Sequence, residues 1–289
     1  MDGVPGRARR AASSGRPGEK RRLESAAMRV VDLDRDMSDV IPTGTTRDSA
    51  FLFDRMTEVT LSLAGTGRGR RILDVASGFG QDAIAMSRRG AKVVGVEPSE
   101  RMSAWARLKG AEEEGPVPQW VRGWSDALPF ATGSFDASLC KGALDHFDRP
   151  EQAIAEMARV TSADGRVVLA IANFESLACR AARFSDEIRE GWLGCPVRRG
   201  RRHYDVPADH FTRYEIGLIE EQASASLDLE VVEGISMAWG LPAWTRAVDH
   251  LPGAVAELAL RSLDWLARRV PTLADVVVLA GRPRGRASA

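Results

Sequence analysis

Two carboxylates and a glycine-rich turn lie close together in the sequence and have the chemistry of a nucleotide-type site. Asp74 lies near the end of the apolar run 72–75, and Glu97 ends the next apolar run. Between them, Gly78 and Gly80 would let the backbone turn sharply and approach a ligand, which a Cβ would prevent. A helix predicted after the turn would direct its N-terminal N–H groups to the same place. These residues predict a nucleotide-type ligand without identifying the nucleotide.

Further candidate side chains follow a later apolar run. Lys141 comes directly after it, where a parallel sheet faces its ligand, although a solvated charge is an equal alternative. His146 is the candidate for a residue near the reacting group, because imidazole suits a general base at neutral pH. A structural or substrate-shaping role is the favoured alternative for His146. His203, Tyr204 and His210 are interpreted as packed or surface residues.

Metal chemistry is not expected. The sequence offers no cluster of His, Asp and Glu that suggests a metal centre, and the three cysteines lack metal-ligand spacing. We therefore predict no metal site.

Alternating apolar strands and helices must position these residues. The stretch 70–98 predicts a β-α-β unit, and helices between later strands imply right-handed crossovers. The predicted fold is α/β: a doubly wound, mostly parallel, seven-stranded Rossmann-like sheet with helices on both faces and a helical cover near the C-terminus. The predicted strands are 72–75, 92–96, 119–122, 135–140, 167–172, 229–237 and 276–280.

The composition of the chain bears on its function class and on its division into domains. The 40 basic and 40 acidic side chains cancel, which gives no electrostatic argument for nucleic acid. No run approaches the roughly 20 apolar residues of a membrane span, and no secretory signal is visible. We predict a cytoplasmic protein with a disordered, arginine-rich tail over 1–27 and one domain over 28–289. Within that domain, 70–172 would bind the cofactor and 174–269 would cover the substrate.

The glycine turn itself permits two interpretations. The segment 78–83 fits the dinucleotide pattern G-x-G-x-x-A, and Glu97 follows at the spacing of a ribose-binding acid. An NAD-type oxidoreductase would explain both features. However, Asp74 stands where the first strand of a dinucleotide-binding fold should still be apolar. Several later sequence motifs are also not required by a dinucleotide-binding fold.

Those motifs resemble the class I S-adenosylmethionine-dependent methyltransferases, in particular the group that includes quinone-biosynthesis and small-molecule methyltransferases. Five of them follow in order between about Arg70 and Ala172: ILDVASGFG, VVGVEPSERM, GWSDALPF, GSFDASLCKGALDHFDRP and EMARVTSADGRVVLAI. Beyond them the resemblance is looser, although HFTRYEIGLIEEQA and ADVVVLAGRP look like the family's later helix and last strand. The resemblance implies S-adenosyl-L-methionine as the cofactor.

The resemblance also implies a role for individual residues. Asp74 and the turn 76–80 would hold the methionine end, and Glu97 would accept from both ribose hydroxyls. Met102 would cover the adenine, and 125–127 would lie along its edge. The full set of implied cofactor contacts is Asp74, Ala76, Ser77, Gly78, Gly80, Glu97, Pro98, Met102, Ser125, Asp126, Ala127 and Lys141.

Two residues depart from the family pattern. Ala76 stands where the first glycine of the turn is expected. Trp124 stands where family members usually have an acid that accepts from the adenine amino group. Either Asp126 substitutes for that acid or Trp124 stacks on the base.

The expected reaction is methyl transfer to an O, N or C atom of a small, partly apolar molecule by in-line displacement. Tryptophans and leucines in 174–269 predict an apolar face, and the basic run 198–202 predicts a solvated loop or a lid for an anionic group. The missing acid at Trp124 leaves open a protein of this fold that acts on RNA or protein, or that lacks catalysis. The sequence does not identify the acceptor or the oligomeric state.

Overall fold

The computed structural model describes residues 46–113, 115–197, 202, 204–205 and 210–285. The predicted disordered tail, His203 and all but Arg202 of the basic run lie outside the described residues. The division into a tail and a single domain stays a prediction.

A seven-stranded sheet forms the centre of the chain, as predicted. Its strands are β1 Arg71–Val75, β2 Lys92–Glu97, β3 Gln119–Arg122, β4 Phe135–Lys141, β5 Thr161–Ala172, β6 Leu227–Ile235 and β7 Val276–Pro283. They lie in the order β3-β2-β1-β4-β5-β7-β6. β1 to β5 are parallel, and β7 is antiparallel to both β5 and β6. The predicted α/β fold with a mostly parallel sheet is confirmed.

Helices cover both faces of the sheet because each face carries its own apolar cluster. They are α1 Arg47–Leu63, α2 Gln81–Arg88, α3 Glu100–Glu112, α4 Pro150–Val160, α5 Leu177–Gly191, α6 Ile216–Ser224, α7 Pro242–His250 and α8 Gly253–Arg269. Met157 of α4 and Ile219 of α6 belong to one cluster. Met56 of α1 and Met86 of α2 belong to the other. Within the described residues, no helix is long and apolar enough to cross a membrane.

The largest difference from the predicted elements lies before β5. β5 begins at Thr161, directly after α4 ends at Val160, rather than at the predicted Val167. Thr161 already pairs with Phe135 of β4, and the pairing register then shifts. A Cβ on Gly165 would lie 2.6 Å from Thr161 Cγ2, so a glycine is needed in this tight bulge.

Asp275, just before β7, should make stability depend on pH. Burial raises the pKa of Asp275 to about 7, although the Trp239 N–H donates to it at 2.9 Å. A raised folded-state pKa means that the folded chain binds the proton more tightly. This group's contribution to the free energy of unfolding should therefore fall, by up to about 4 kcal/mol, as pH rises from about 4 to about 8.

Asp275→Asn tests that dependence. Relative to the natural chain, the variant should gain stability between pH 5 and pH 8 in urea denaturation, because asparagine does not ionise. Asp54→Asn, at an exposed position of α1, is the control. A difference between Asp275→Asn and the natural chain that stays constant with pH would contradict the prediction.

Candidate functional site

The carboxyl ends of three neighbouring parallel strands meet at one edge of the sheet. Asp74 of β1 lies opposite Gly95 of β2 on one side and Leu139 of β4 on the other. The strand order reverses between β1 and β4, which is where open α/β sheets bind ligands. The predicted site residues that follow β1, β2 and β4 thus lie around one crevice.

The turn between β1 and α2 has an unusual backbone. Ala76, Gly78 and Gly80 all have positive φ angles, of 55°, 52° and 81°. The Ser77 N–H donates to the Val96 carbonyl at 3.0 Å, which ties the turn to β2. Ala76 is the position where the sequence departs from the expected glycine, and its left-handed backbone explains why glycine would suit it.

Glu97 fixes the geometry of this turn. Its Oε2 accepts from the Gly78 N–H and its Oε1 from the Ser99 N–H, each at 2.9 Å. Ser99 caps α3, since its Oγ accepts from the Met102 N–H at 3.3 Å. The carboxylate therefore joins the turn to α3. Its role towards the ribose hydroxyls stays a prediction.

Gly80 has a packing role that was not predicted. A Cβ at this position would lie 2.3 Å from Trp120 Cη2, so the indole ring leaves no room for a side chain. Gly95 faces the same ring, at 2.7 Å. Gly78 is less crowded, with Met102 Cε at 3.4 Å. Packing against Trp120, together with positive φ, is the reason for glycine at position 80.

Gly80→Ala should lower the free energy of unfolding by about 2 to 4 kcal/mol, because left-handed strain adds to overpacking against Trp120. Gly69→Ala is a matched control: its φ is 80°, and, apart from its chain neighbours, no atom of the described residues lies within 4 Å of its Cβ position. That control should lose only about 1 to 2 kcal/mol. If urea denaturation showed the same loss in free energy of unfolding for both variants, a clash between the new Cβ and Trp120 would be contradicted.

A buried charge cluster lies under the turn. Lys141 Nζ lies 2.6 Å from Asp82 Oδ2 and donates to Thr57 Oγ1 at 2.8 Å. Asp74 is 3% exposed, and its Oδ2 has no hydrogen-bond partner among the described residues. Burial, and then the charge of Asp82, raise the pKa of Asp74 well above its ordinary value. The alternative of a solvated Lys141 is wrong, because α1 and α2 enclose its ammonium group.

The residues predicted to contact the adenine differ in their burial. Met102 and Asp126 are buried, whereas Ala127 is exposed. Asp126 Oδ2 lies 3.6 Å from Arg149 Nε. The remaining predicted contacts, Pro98, Trp124 and Ser125, are half-buried. The adenine roles stay predictions.

Asp145 and His210 form a contact that the sequence analysis did not predict. His210 Nδ1 lies 3.0 Å from Asp145 Oδ2, and the His146 and His210 rings meet edge-on with centroids 4.4 Å apart. Burial would raise the pKa of Asp145, but the His210 hydrogen bond and the charges of both histidines outweigh it and lower that pKa. One potential metal-ligand atom from each of the three residues lies within 4.8 Å of the others.

This cluster corrects one expectation. The chain does bring His and Asp side chains together, which the sequence did not suggest. His210 is packed, in agreement with its interpretation, but its imidazole also pairs with Asp145. The Phe211 N–H donates to the Asp145 carbonyl at 2.8 Å, which joins two segments far apart in the sequence. No local spacing could have revealed that contact.

Two further described residues of the predicted cover, Arg202 and Tyr204, contact the same carboxylate. Tyr204 donates its hydroxyl to Asp186 Oδ2 at 2.8 Å, and Arg202 Nε lies 3.1 Å from the same oxygen. Asp186 belongs to α5. Tyr204 is therefore packed against the cover, in agreement with its interpretation.

Comparison with known proteins identifies the central part of the chain. Residues 73–169 match a family model described as a methyltransferase domain. A demethylmenaquinone methyltransferase of Renibacterium salmoninarum is 34% identical over 133 residues, covering 46% of this chain and 51% of that protein. A ubiquinone biosynthesis O-methyltransferase of Xanthomonas oryzae pv. oryzae is 32% identical over 136 residues, covering 47% and 55%. The chain thus spans about half the length of these curated relatives.

A solved structure supports the fold independently. The YcgJ protein of Bacillus subtilis superposes with a TM-score of 0.52 at 19% identity, covering 80% of this chain and 100% of that one. At this identity the likeness concerns the fold alone.

Proposed function

We propose that this chain, whose residues 73–169 form a class I S-adenosylmethionine-dependent methyltransferase domain, transfers a methyl group to an O, N or C atom of a small molecule. One observation carries the proposal. Two buried carboxylates, Asp74 and Glu97, flank a turn of positive-φ residues at the strand-order reversal. An ammonium group and a ribose diol on one ligand would match these two acceptors.

The residues present fit S-adenosylmethionine. Asp74 Oδ2 and Ser77 Oγ are buried without a hydrogen-bond partner among the residues described, and buried polar atoms of this kind require one. Asp74 would receive the ammonium group, and Glu97 would accept from the ribose hydroxyls. Met102 would pack on the adenine. The N-terminus of α2 would face the carboxylate.

Little further chemistry is required of the protein. When bound, S-adenosylmethionine supplies a methyl group already activated by its positive sulfur. The chain's task is to align an acceptor atom and exclude water. His146, at the carboxyl end of β4, is the proposed base for an acceptor that must lose a proton. A structural role for His146 is the alternative.

The acceptor is proposed to be partly apolar. Phe184 on α5, and Trp192 and Leu193 directly after it, leave large apolar surfaces exposed in the predicted cover. The names of the curated relatives refer to quinone biosynthesis, and quinones have this mixed character. A cytoplasmic location is also proposed, since Cys140, Cys179 and Cys195 are free thiols suited to a reducing compartment.

Methyl transfer can be tested without knowing the acceptor. The protein is incubated with a metabolite extract and S-adenosylmethionine carrying a deuterated methyl group, and products are examined by mass spectrometry. A product shifted by the labelled methyl should form with the natural chain and disappear with Glu97→Ala. Binding of NAD(H) but not of S-adenosylhomocysteine, measured by thermal shift, would contradict the proposal and favour the dinucleotide interpretation.

A further inference from the structure

We infer that Asp145, His146 and His210 form a binding site for a divalent first-row transition-metal ion. The three residues offer two imidazole nitrogens and one carboxylate oxygen, all within 4.8 Å of one another. Such a mixed set suits Zn²⁺, Fe²⁺, Co²⁺ or Ni²⁺, whereas Mg²⁺ and Ca²⁺ prefer oxygen ligands alone.

Part of the required spacing already exists. Ligand bonds of about 2.0 to 2.2 Å place two ligands of one ion roughly 3 to 3.5 Å apart. Asp145 Oδ2 and His210 Nδ1 are 3.0 Å apart. The His146 ring meets the His210 ring edge-on at 4.4 Å. One ring nitrogen of His146 lies within 4.8 Å of the ligand atoms of Asp145 and His210, so a shift of about 1 to 2 Å would complete the ligand spacing.

A second observation points to a ligand here. Asp145 is only 5% exposed, and its Oδ1 has no hydrogen-bond partner within the described part of the chain. A buried carboxylate oxygen without a donor is costly in a folded protein. A metal ion beside Asp145 would supply the missing partner.

The surrounding contacts hold the cluster in place. The Asp145 carbonyl accepts from the Phe211 N–H at 2.8 Å and from the Thr212 N–H at 3.3 Å, which fixes the segment carrying His210. Phe174 packs edge-on against His210, with centroids 6.2 Å apart. Supporting contacts of this kind orient metal ligands in known sites.

The site adjoins the proposed cofactor pocket. Asp145 follows shortly after β4, the strand that pairs with β1 at the crevice. An ion held by Asp145 would therefore lie at the same end of the sheet as the crevice. Resting on the proposed function, this position gives the ion the role of a Lewis acid that binds and orients an oxygen atom of the methyl acceptor. With the ion bound, His146 is a ligand, so the ion and not the imidazole promotes loss of the acceptor's proton.

Cobalt titration tests the site directly. Co²⁺ is added to the full chain freed of metal, and visible absorption and equilibrium dialysis report the bound ion. The natural chain should bind one Co²⁺ per molecule, which Zn²⁺ displaces and excess Mg²⁺ does not. His210→Ala and His146→Ala should each weaken Co²⁺ binding at least tenfold. His250→Ala, at an exposed position on α7, is the matched control and should bind normally.

A conservative substitution and thermal melts separate loss of the metal site from loss of the fold. Asp145→Asn preserves the size of the side chain and should also weaken Co²⁺ binding, and thermal melts establish that each variant is folded. Stoichiometric binding that survives both histidine substitutions, or no binding by the natural chain, would overturn the site. Calorimetry with S-adenosylhomocysteine separates the two proposals, because loss of Co²⁺ binding with retained nucleotide binding would contradict only the metal site.

Discussion

Glu97→Ala should weaken S-adenosylhomocysteine binding by at least about 100-fold. Two hydrogen bonds from ribose hydroxyls to a carboxylate are worth roughly 1.5 to 3 kcal/mol each, and about 1.4 kcal/mol corresponds to a factor of ten in affinity. The carboxylate is also an acceptor for the Gly78 and Ser99 N–H groups at 2.9 Å. Its removal should therefore loosen the turn as well as remove the ribose contacts. Isothermal titration calorimetry measures the loss.

Two variants separate these contributions. Glu97→Gln keeps the shape of the side chain but turns one acceptor into a donor, so it should bind more weakly than the natural chain and more strongly than Glu97→Ala. Glu100→Ala, whose side chain is 77% exposed in α3, is the control and should bind as the natural chain does. Equal affinity of the natural chain and Glu97→Ala would show that the ribose lies elsewhere.

The sequence predicted the sheet well because parallel strands buried on both faces are continuous apolar runs. The limits of β3 were predicted correctly, and those of β1 and β2 to within one residue. β5 was predicted six residues too short because its first part, 161–166, is polar and irregular. Pairing with β4, not local pattern, makes that segment a strand.

The candidate site was predictable only where its residues follow one another in the chain. Asp74 and Glu97 lie at the ends of consecutive strands, so their proximity follows from a β-α-β unit. His210 and Asp145 are far apart in the sequence, and no periodicity encodes their contact. The role of Trp120 was equally hidden, because its ring reaches Gly80 from β3, which is separated from β1 by β2.

Asp74→Asn should have two opposite effects, and both follow from the burial of this carboxylate. Burial raises the pKa of Asp74. The negative charges of Asp82 and Glu97 raise it further, and the positive charge of Lys141 opposes them. With a raised folded-state pKa, the folded chain loses stability as pH rises above the ordinary value of 3.8 towards the raised value. Asparagine removes that loss, so the ligand-free variant should be more stable at pH 8 by about 1 to 3 kcal/mol.

S-adenosylhomocysteine binding should change in the other direction. Its ammonium group requires an ionised acceptor, so Asp74→Asn should bind about ten- to 100-fold more weakly at pH 8. In the natural chain, affinity should rise with pH as Asp74 ionises, and the variant should lack that component. Calorimetry at several pH values measures both, after correction for the buffer's protonation heat.

Asp82→Asn is the matched control because it makes the same substitution close by with the opposite expected effect on stability. Asp82 neutralises Lys141 at 2.6 Å, so its loss would leave a largely buried ammonium group without its main partner. That variant should be less stable than the natural chain at pH 8, whereas Asp74→Asn should be more stable. If both substitutions shifted stability the same way, Asp74 would be structural like Asp82. Opposite signs, with weaker nucleotide binding by Asp74→Asn, would identify Asp74 as the carboxylate kept free for the cofactor.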